Sequence, residues 1–361
     1  MNIVLTGGGT GGHVYPAVSI AQTLKDIDEN INILYVGSPD SIEEKIAGEL
    51  GIPFRSVRSA SFPQLKSKNC FRALCNLANG IYEAGKILNE FDCDLVFGTG
   101  GYVCYPVFMA QKKRKKSIVI HEQNAVGGKT NRKFAKYAKY VCTTFDNKDF
   151  PLEKIIHTGL PVRKSFKAQI PKKYYSDNFG IGKDKFVLLI CGGSQGAKAI
   201  NDIIVSILPK LKDMNIEIIH QTGKKKYADV ISKTKDINAE NYHPYDYIDM
   251  YKALNTADLV IGRSGASTLT EILTQKVPAI FVPYPFAADN HQYFNALSSA
   301  EAGASVLIEE NKLTSEGLFD IVSDLFAHPE KLAQMSENAE KVLVDNPETK
   351  IAEVIFRALD E

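Results

Sequence analysis

Short apolar runs of strand length alternate with stretches of helical spacing along the whole chain. This alternation is typical of parallel α/β units, in which each strand is followed by a helix that covers one face of the sheet. The pattern therefore predicts an α/β protein with parallel sheets. The predicted strands are Ile3–Leu5, Ile31–Val36, Leu95–Phe97, Ser117–Ile120 and Tyr140–Thr143 in the first half, and Phe186–Cys191, Ile216–Gln221, Leu259–Ile261 and Ala279–Val282 in the second.

Each half opens in the same way, with a strand, a glycine-rich turn and a helix. In the first half the turn is Gly7–Gly12, before a helix predicted over Pro16–Leu24, and in the second it is Gly192–Gly196. Because 361 residues exceed what one ordinary core organises, two nucleotide-type folds are expected. The predicted boundaries are an N-terminal domain at residues 1–163, a C-terminal domain at 164–340 and a C-terminal helix at 341–361, which could pack back on the N-terminal domain.

The composition is that of an ordinary globular chain, with 44% hydrophobic and 24% charged residues. The chain begins directly with a strand, and no run approaches the roughly 20 apolar residues that a membrane-spanning helix needs. None of the six cysteines belongs to a C-x-x-C pair, and most lie in apolar runs, as buried reduced thiols of cytosolic proteins do. These features predict a cytoplasmic protein without a signal peptide or a transmembrane segment.

The net charge of +1 conceals an asymmetry between the halves. Residues 1–163 contain 21 Lys and Arg against 15 Asp and Glu, and the remainder contains 22 against 27. The excess of basic residues in the first half comes from Lys112–Lys116 and from further basic residues between Lys129 and Lys139. Such a cluster indicates either an anionic partner or a simple solvated face.

The first glycine turn fits the G-x-G-x-x-G pattern through Gly7, Gly9 and Gly12. That spacing lets backbone N–H groups approach a phosphate at a helix N-terminus. A dinucleotide enzyme would also need an acidic residue at the end of the second strand to hold a ribose, and Asp40 is the only nearby candidate. The pattern therefore favours a phosphate-binding loop over an NAD site.

His13 directly follows these glycines. An imidazole in water has a pKa of about 6.5, so a histidine at the mouth of a phosphate-binding turn suits a general base at neutral pH. The alternative is a structural histidine with satisfied hydrogen bonds. We take His13 as the candidate catalytic base.

Polar loops follow several other predicted strands, where open α/β sheets bind their ligands. Gly98–Tyr102 is a third glycine turn, and His121–Asn124 is a polar cluster that lacks the second histidine of a zinc helix. Gly262–Glu271 could present N–H groups to a phosphate, with Glu271 as either a ribose ligand or part of a helix-capping box. Pro283–Gln292 carries side chains able to bind sugar hydroxyls. No metal site is predicted, because neither of the two D-x-D triplets, Asp26–Asp28 and Asp92–Asp94, follows a strand. No cofactor is predicted either.

Taken together, these loops closely resemble the GT-B glycosyltransferases, and among them the peptidoglycan enzymes that add N-acetylglucosamine to a lipid-linked muramyl-pentapeptide. The set as a whole is specific and spans most of the chain in the family's order. The matching segments are Gly7–Pro16, Gly98–Pro106, His121–Asn131, Pro161–Arg163, Gly192–Asn201, Arg263–Glu271 and Pro283–Asn295.

The resemblance implies two Rossmann-like domains facing a cleft, with an acceptor- and membrane-facing N-terminal domain and a C-terminal domain that binds the UDP-sugar. It further implies that His13 deprotonates the acceptor's 4-hydroxyl, while Thr10, Gly11, Gly12 and Asn124 reach the donor sugar. The remaining implied donor contacts are Ser194 with Gly193 and Gln195 at the diphosphate, Arg163 as added positive charge, Glu271 at the ribose, the Ile248 backbone at uracil, and Gln292 with Asn290 at the GlcNAc hydroxyls.

The implied reaction is a direct, inverting and metal-independent transfer from UDP-GlcNAc, with UDP as the leaving group. The implied acceptor is undecaprenyl-diphosphate-linked muramyl-pentapeptide, so the protein would act peripherally at the cytoplasmic face of the bacterial membrane, without a nucleic-acid partner. The basic residues from Lys112 to Lys139 suit anionic headgroups. Beside them, Phe62–Lys66 and the apolar positions between Phe71 and Ile81 suit either membrane contact or core packing.

Three alternatives stay open from the sequence. The chain could be a GT-B enzyme with another glycolipid acceptor such as diacylglycerol, a sugar-nucleotide epimerase of similar architecture, or a non-catalytic protein that binds nucleotide sugars. The presence of His13, Glu271 and Gln292 speaks against the last of these.

Overall fold

The computed structural model describes residues 1–59, 70–168, 170–193 and 195–360, with the backbone alone for residues 70–73. The chain divides into two compact units. The N-terminal unit consists of Met1–Arg163 together with Val344–Glu361, and the C-terminal unit is Lys164–Leu343. The chain therefore returns to its first unit for its last helix.

Every strand pair recorded in the two sheets is parallel. The strands are β1 (Asn2–Thr6), β2 (Asn32–Gly37), β3 (Phe54–Ser56), β4 (Leu95–Gly98), β5 (Ser117–Glu122), β6 (Tyr140–Thr143), β7 (Ile155–His157), β8 (Phe186–Cys191), β9 (Ile216–Gln221), β10 (Tyr242–Tyr245), β11 (Leu259–Gly262), β12 (Ala279–Phe281) and β13 (Ser305–Leu307).

Helices connect most consecutive strands, as parallel pairing requires. The α-helices are α1 (Gly11–Ile27), α2 (Ile42–Glu49), α3 (Cys70–Glu90), α4 (Cys104–Arg114), α5 (Lys129–Ala135), α6 (Lys198–Leu211), α7 (Tyr227–Thr234), α8 (Met250–Thr256), α9 (Ala266–Thr274), α10 (His291–Glu301), α11 (Ser315–Ala327), α12 (Pro329–Asn338) and α13 (Pro347–Asp360). Short 3₁₀ turns occur at Leu152–Lys154, Lys164–Lys167, Ser176–Phe179, Ala288–Asn290, Glu310–Lys312 and Ala339–Lys341.

The N-terminal unit contains a seven-stranded sheet in the order β3-β2-β1-β4-β5-β6-β7. The C-terminal unit contains a six-stranded sheet in the order β10-β9-β8-β11-β12-β13. In both, the chain starts in the middle of the sheet, winds to one edge and then crosses to the other side, which is the doubly wound Rossmann-like topology. The predicted fold class, two parallel-sheet Rossmann-like domains, is confirmed.

The central strands are apolar on both faces because helices cover both sides of each sheet. In the N-terminal unit, Ile3 and Leu5 of β1 are fully buried in one cluster with Val14 of α1 and with Ile351 and Ile355 of α13. The Ser117 hydroxyl also donates to the Ala358 carbonyl oxygen at 2.9 Å. The last helix is thus an integral part of the N-terminal core.

All nine predicted strands are present, with bounds that differ by at most two residues. The structure adds four short strands that the apolar pattern did not indicate: β3, β7, β10 and β13. The first helix begins at Gly11 instead of Pro16, so it includes two of the loop glycines and His13. Pro16 is accommodated inside this helix and is buried.

Four of the cysteines are buried free thiols, as predicted, whereas the Cys75 thiol is exposed. Burial raises the pKa of Cys93, Cys104, Cys142 and Cys191 to about 12, which keeps these thiols protonated and unreactive. Among the described residues, no helix has the length and apolar character needed to cross a bilayer.

Candidate active site

Three loops meet at the carboxyl edge of the N-terminal sheet, because β1, β4 and β5 are neighbours there. The Gly8 N–H donates to the Gly100 carbonyl oxygen at 3.4 Å. Gly101 has a φ of +89°, and a methyl group on it would lie 2.5 Å from the Gly8 carbonyl oxygen. Since both its backbone conformation and its surroundings exclude a side chain, glycine is required where these two loops touch.

His13 lies half-buried in the first turn of α1. Its Nδ1 atom lies 2.9 Å from the Thr99 carbonyl oxygen and 3.1 Å from Gln123 Oε1. The Thr99 hydroxyl donates to the His13 carbonyl oxygen at 2.7 Å. Both hydrogen-bond contacts recorded for the ring within the described part of the chain thus involve Nδ1 and not Nε2.

The N-terminus of α1 is suited to an anion. Thr10 is the N-cap residue, its side chain makes no capping hydrogen bond, and the first turn contains no acidic residue. The first N–H groups of a helix have no partner within the helix and carry a positive partial charge. Gly11 and Gly12 expose such groups without side chains to obstruct a phosphate or a sugar hydroxyl.

The Glu122 carboxylate organises the loop after β5. It is buried, and Oε1 accepts from the Asn124 backbone N–H at 3.0 Å and from the Asn124 amide at 3.3 Å. Oε2 accepts from the Gly128 N–H and from Asn131 Nδ2, both at 2.8 Å. Glu122 therefore fixes the position of Asn124, which is half-buried beside it.

His121 is fully buried behind this loop. Its Nε2 lies 2.9 Å from the Gly159 carbonyl oxygen, and its Nδ1 lies 3.4 Å from Gln123 Nε2. Burial lowers the pKa of His121 to about 4, so the ring is uncharged at neutral pH. It is a structural histidine that contacts Gln123, whereas His13 is the histidine at the helix terminus.

In the C-terminal unit, the loop after β8 approaches the loop after β9 closely. Gly196 has a φ of +70°, and a methyl group there would lie 1.9 Å from the Thr222 carbonyl oxygen. Gly193 has a φ of +83° with open space where a Cβ would lie, and Gln195 is exposed. Ser194 lies outside the described residues.

Helix α9 begins at Ala266, with Gly265 as its N-cap and no side-chain capping bond. The capping-box alternative for Glu271 is therefore wrong, because Thr268 is an internal residue of the helix. Glu271 lies half-buried on α9. Its charge contributes, after burial itself, to the raised pKa of Cys191, which places the carboxylate near the end of β8.

Arg263 stabilises the loop after β12. Its guanidinium donates to the carbonyl oxygens of Val282 and Pro283 at 3.0 and 2.9 Å and pairs with Glu310. Gln292, at the start of α10, accepts the Tyr284 N–H through Oε1 at 3.0 Å. The Gln292 side chain is therefore held against this loop.

The remaining predicted residues, Asn290, Ile248 and Arg163, differ in how far they are exposed. Asn290 is exposed and adopts a left-handed conformation with a φ of 55°. Ile248 is buried just before α8, so only its backbone suits contact with a ligand. Arg163 is half-buried, with its guanidinium carbon 5.7 Å from the centroid of the Tyr15 ring.

The structure groups the predicted residues by unit. Thr10, Gly11, Gly12 and His13 follow β1, and Asn124 follows β5; β4 lies between these two strands in the sheet. In the C-terminal unit, Glu271 and Gln292 follow the adjacent strands β11 and β12, whereas Ile248 follows β10, three strands from β11.

The sequence pattern does not indicate individual roles for Thr99, Glu122 and Gln123. Glu122 and Gln123 belong to the polar cluster His121–Asn124, which spans the end of β5 and indicates a ligand-lining loop. The Thr99 contribution is a backbone carbonyl, for which the sequence carries no signal.

The basic cluster of the N-terminal unit is interleaved with tyrosines. Lys112 Nζ lies 3.7 Å from the centroid of the Tyr137 ring, and Lys136 Nζ lies 5.1 Å from the same centroid. Hydrogen bonding from these two lysines lowers the pKa of the Tyr137 hydroxyl. Lys133 lies over the Tyr105 ring at 4.8 Å. The exposed side of this region is therefore cationic.

The five basic residues of the run Lys112–Lys116 differ in their contacts and exposure. Arg114 donates to Asn89, to the Cys93 carbonyl oxygen and to Gln111, so it acts within the fold. Lys116 pairs with Asp94 at 3.4 Å. Lys113 and Lys115 are exposed.

The apolar positions between Phe71 and Ile81, predicted for either membrane contact or core packing, divide between the core and the surface. Leu77 and Ile81 pack against the core, and Leu74 is 52% exposed. Phe62–Lys66 and the Phe71 side chain lie outside the described residues.

Comparisons with known proteins identify relatives of the whole chain. The glycosyltransferase family 28 N-terminal domain matches residues 3–143, and the family 28 C-terminal domain matches residues 187–354. The UDP-N-acetylglucosamine--N-acetylmuramyl-(pentapeptide) pyrophosphoryl-undecaprenol N-acetylglucosamine transferase of Desulforamulus reducens is 39% identical, over 95% of this chain and 94% of that protein. The transferase of the same name from Finegoldia magna is 37% identical, over 100% of this chain and 99% of that protein.

Among solved structures, the crystal structure of Acinetobacter baumannii MurG is similar, with a TM-score of 0.79 and 29% sequence identity over 99% of both chains. The N-terminal and C-terminal domains of the family are thus both present, in that order along the chain. The chain belongs to glycosyltransferase family 28, in the group of UDP-N-acetylglucosamine--N-acetylmuramyl-(pentapeptide) pyrophosphoryl-undecaprenol N-acetylglucosamine transferases.

Proposed function

We propose that this enzyme transfers N-acetylglucosamine from UDP-GlcNAc to the 4-hydroxyl of undecaprenyl-diphosphate-linked muramyl-pentapeptide, as an inverting step of peptidoglycan synthesis. One observation carries the proposal: relatives that bear this transferase name are 37–39% identical over 95–100% of the chain. Because they match this chain from end to end, they favour the transferase over the epimerase and the other glycolipid synthases considered from the sequence.

In the proposed reaction, the acceptor's 4-hydroxyl oxygen bonds to the anomeric carbon while the bond from that carbon to the UDP oxygen breaks. The hydroxyl proton passes to Nε2 of His13, and the electron pair leaves with UDP. The ring is already anchored through Nδ1, which lies 2.9 Å from the Thr99 carbonyl oxygen. A base held in one orientation loses little entropy when the acceptor arrives.

We assign the donor contacts to both units. In the N-terminal unit, the helix-terminal N–H groups at Thr10, Gly11 and Gly12, together with Asn124, would bind the donor sugar, and Arg163 would add positive charge. In the C-terminal unit, the assigned donor contacts are Ser194 with its neighbours Gly193 and Gln195 at the diphosphate, the Ile248 backbone at uracil, Glu271 at the ribose, and Gln292 Nε2 with Asn290 at the sugar hydroxyls.

The negative charge that develops on the leaving phosphate needs stabilisation at the moment of transfer. Backbone N–H groups of a glycine loop supply it without reorganising. Gly193 suits this role because its left-handed conformation and open surroundings leave the backbone accessible to a ligand. No metal or cofactor is assigned to the step.

The decisive test is turnover with purified protein and UDP-GlcNAc. We expect UDP release and a disaccharide product with the lipid-linked muramyl-pentapeptide, and neither with diacylglycerol. Product from diacylglycerol instead, or conversion of UDP-GlcNAc alone to its 2-epimer, would refute the proposal in favour of the corresponding alternative. Thermal shift with UDP-GlcNAc, UDP-GalNAc and NADH identifies the bound nucleotide, since a ligand at 100 times its Kd stabilises by about 2.7 kcal/mol.

The lipid acceptor requires that the enzyme reach a bilayer, and we propose that it does so peripherally at the cytoplasmic face. The support is the cationic surface of the N-terminal unit, where Lys113, Lys115 and Lys136 are exposed. A lysine near an anionic membrane surface contributes about 1 kcal/mol of attraction. The triple variant Lys113→Gln, Lys115→Gln, Lys136→Gln should therefore bind anionic vesicles on the order of a hundredfold more weakly.

Vesicle co-sedimentation at low and high salt measures this effect. The matched control replaces two exposed lysines of the C-terminal unit, Lys183→Gln and Lys235→Gln, and should bind as the unmodified protein does. Equal binding by the triple variant and the control would show that the cationic surface is not the anchor. Binding that is insensitive to salt would show the same, because exposed charges are screened within about 8 Å at physiological ionic strength.

A further inference from the structure

Gln123 lies between the two histidines of the N-terminal site. It is 2% exposed and follows β5 directly. Its amide nitrogen donates to the Thr99 carbonyl oxygen at 2.7 Å and lies 3.4 Å from His121 Nδ1. Its amide oxygen lies 3.1 Å from His13 Nδ1. The side chain thus links a buried ring to the candidate base.

The orientation of the Gln123 amide follows from its neighbours. The Gly159 carbonyl can only accept, so His121 Nε2, 2.9 Å away, must carry a hydrogen. An uncharged imidazole has one N–H, and burial keeps His121 uncharged by lowering its pKa to about 4. Its Nδ1 is therefore an acceptor, and the group facing it must be the amide nitrogen of Gln123. The Thr99 carbonyl requires the same orientation.

This orientation determines the tautomer of His13. With the Gln123 nitrogen turned toward His121 and Thr99, its oxygen is turned toward His13 Nδ1. The Thr99 carbonyl oxygen, 2.9 Å from the same nitrogen, is also only an acceptor. Two acceptors at one ring nitrogen place the hydrogen there, and in the neutral ring the lone pair is then on Nε2.

We propose that Gln123, oriented by His121, is a positioning residue that holds His13 as the Nδ1–H tautomer and so keeps Nε2 as the proton acceptor. The proposal rests on the proposed function, in which His13 is the base. It adds a three-residue arrangement, His121–Gln123–His13, whose first two members never touch the substrate.

The expected size of the effect follows from comparable arrangements. Loss of an outer residue that orients a histidine ligand costs 10–100-fold in metal sites. Holding a catalytic histidine in the wrong tautomer can cost on the order of 10⁴-fold. The Thr99 carbonyl oxygen also accepts from His13 Nδ1, and it remains in place when Gln123 is replaced. We therefore expect Gln123→Met to lower kcat by about 10–100-fold. The KM for UDP-GlcNAc should be unchanged, since Gln123 is not a proposed donor contact.

The direct test is nitrogen NMR of the full chain, without substrate, with ¹⁵N-labelled histidine. The signals of His13 are identified by their loss in His13→Ala. At neutral pH we expect His13 with its hydrogen on Nδ1 and His121 with its hydrogen on Nε2. In Gln123→Met the Nε2–H form of His13 should become populated. The matched control is Thr143→Val. Thr143 lies on β6, the strand beside β5, and its buried hydroxyl has no hydrogen-bond partner among the described residues.

The inference is overturned if the unmodified protein holds His13 as the Nε2–H tautomer, a result that requires no variant to fold. It is also overturned if Gln123→Met retains both the tautomer and the unmodified kcat. Failure of the proposed function would appear in the turnover assay, as no turnover of the muramyl acceptor by the unmodified enzyme. The resting tautomer is measured independently of that assay.

Discussion

His13→Ala is expected to lower kcat by 10²–10⁴-fold while leaving the KM for UDP-GlcNAc within about twofold, because general-base catalysis contributes a factor of this size. The ring lies at the end of the sheet where loops from β1, β4 and β5 meet, anchored by the Thr99 carbonyl and Gln123. Removing it takes away the proton acceptor but leaves the N–H groups of Gly11 and Gly12 in place. Steady-state kinetics with both substrates varied measures the two constants separately.

His157→Ala is the matched control, since His157 is an exposed residue of the same sheet at the end of the edge strand β7, two strands from β5. It should retain the unmodified kcat. A His13→Ala enzyme with an unchanged kcat and a raised KM would show that the residue binds substrate and does not accept the proton. Full activity would remove His13 from the mechanism.

The sheet cores were predictable because buried parallel strands consist of continuous apolar residues. The strands that the pattern did not indicate are short and lie toward the sheet edges, where side chains reach solvent. β3 is Phe54–Ser56, with two of its three residues exposed, and β10 is Tyr242–Tyr245, with none fully buried. Their pairing depends on the neighbouring strand, which local sequence does not specify.

The start of α1 also differs from the predicted position, for a physical reason. Glycine ordinarily ends a helix and proline is favoured at the first position of one, so Gly11 and Gly12 predict a turn and Pro16 the first helical residue. The structure extends the helix back to Gly11 because Val14 and Ala17 are buried in the core and hold the first turn against the sheet. Tertiary packing here outweighs local propensity.

The candidate site could be predicted only in part. The glycines and His13 follow one strand and are visible as a local pattern. The roles of Glu122 and Gln123 depend on residues outside the polar cluster: Asn131, on the following helix, for Glu122, and Thr99, after β4, for Gln123. A polar cluster in a sequence indicates a functional loop. Which of its residues positions another side chain depends on the hydrogen-bond partners that the fold brings near.

Acidification is expected to destabilise the C-terminal unit by about 2 kcal/mol between pH 7 and pH 5 through His220 alone. His220 is fully buried on β9, where its ring bonds to the Tyr242 hydroxyl at 2.8 Å and to Asn201 Oδ1 at 3.1 Å. Burial lowers the pKa of His220 to about 3, against about 6.5 in the unfolded chain. Below pH 6.5 the unfolded chain therefore binds a proton that the folded unit does not, so stability falls as the pH drops from about 6.5 toward 3.

His220→Gln should remove this pH dependence, because a glutamine amide can accept from Tyr242 and donate to Asn201 but does not titrate. Tyr242→Phe is the control: it should lose about 1 kcal/mol at every pH from the missing hydrogen bond, yet keep the slope, since the imidazole remains. Native-state hydrogen exchange of the β8 and β9 amides, corrected for intrinsic rates, reports the stability of this unit at each pH. If His220→Gln keeps the unmodified slope between pH 7 and pH 5, the acid sensitivity arises from other groups, and His220 must already be protonated or solvated in the folded unit.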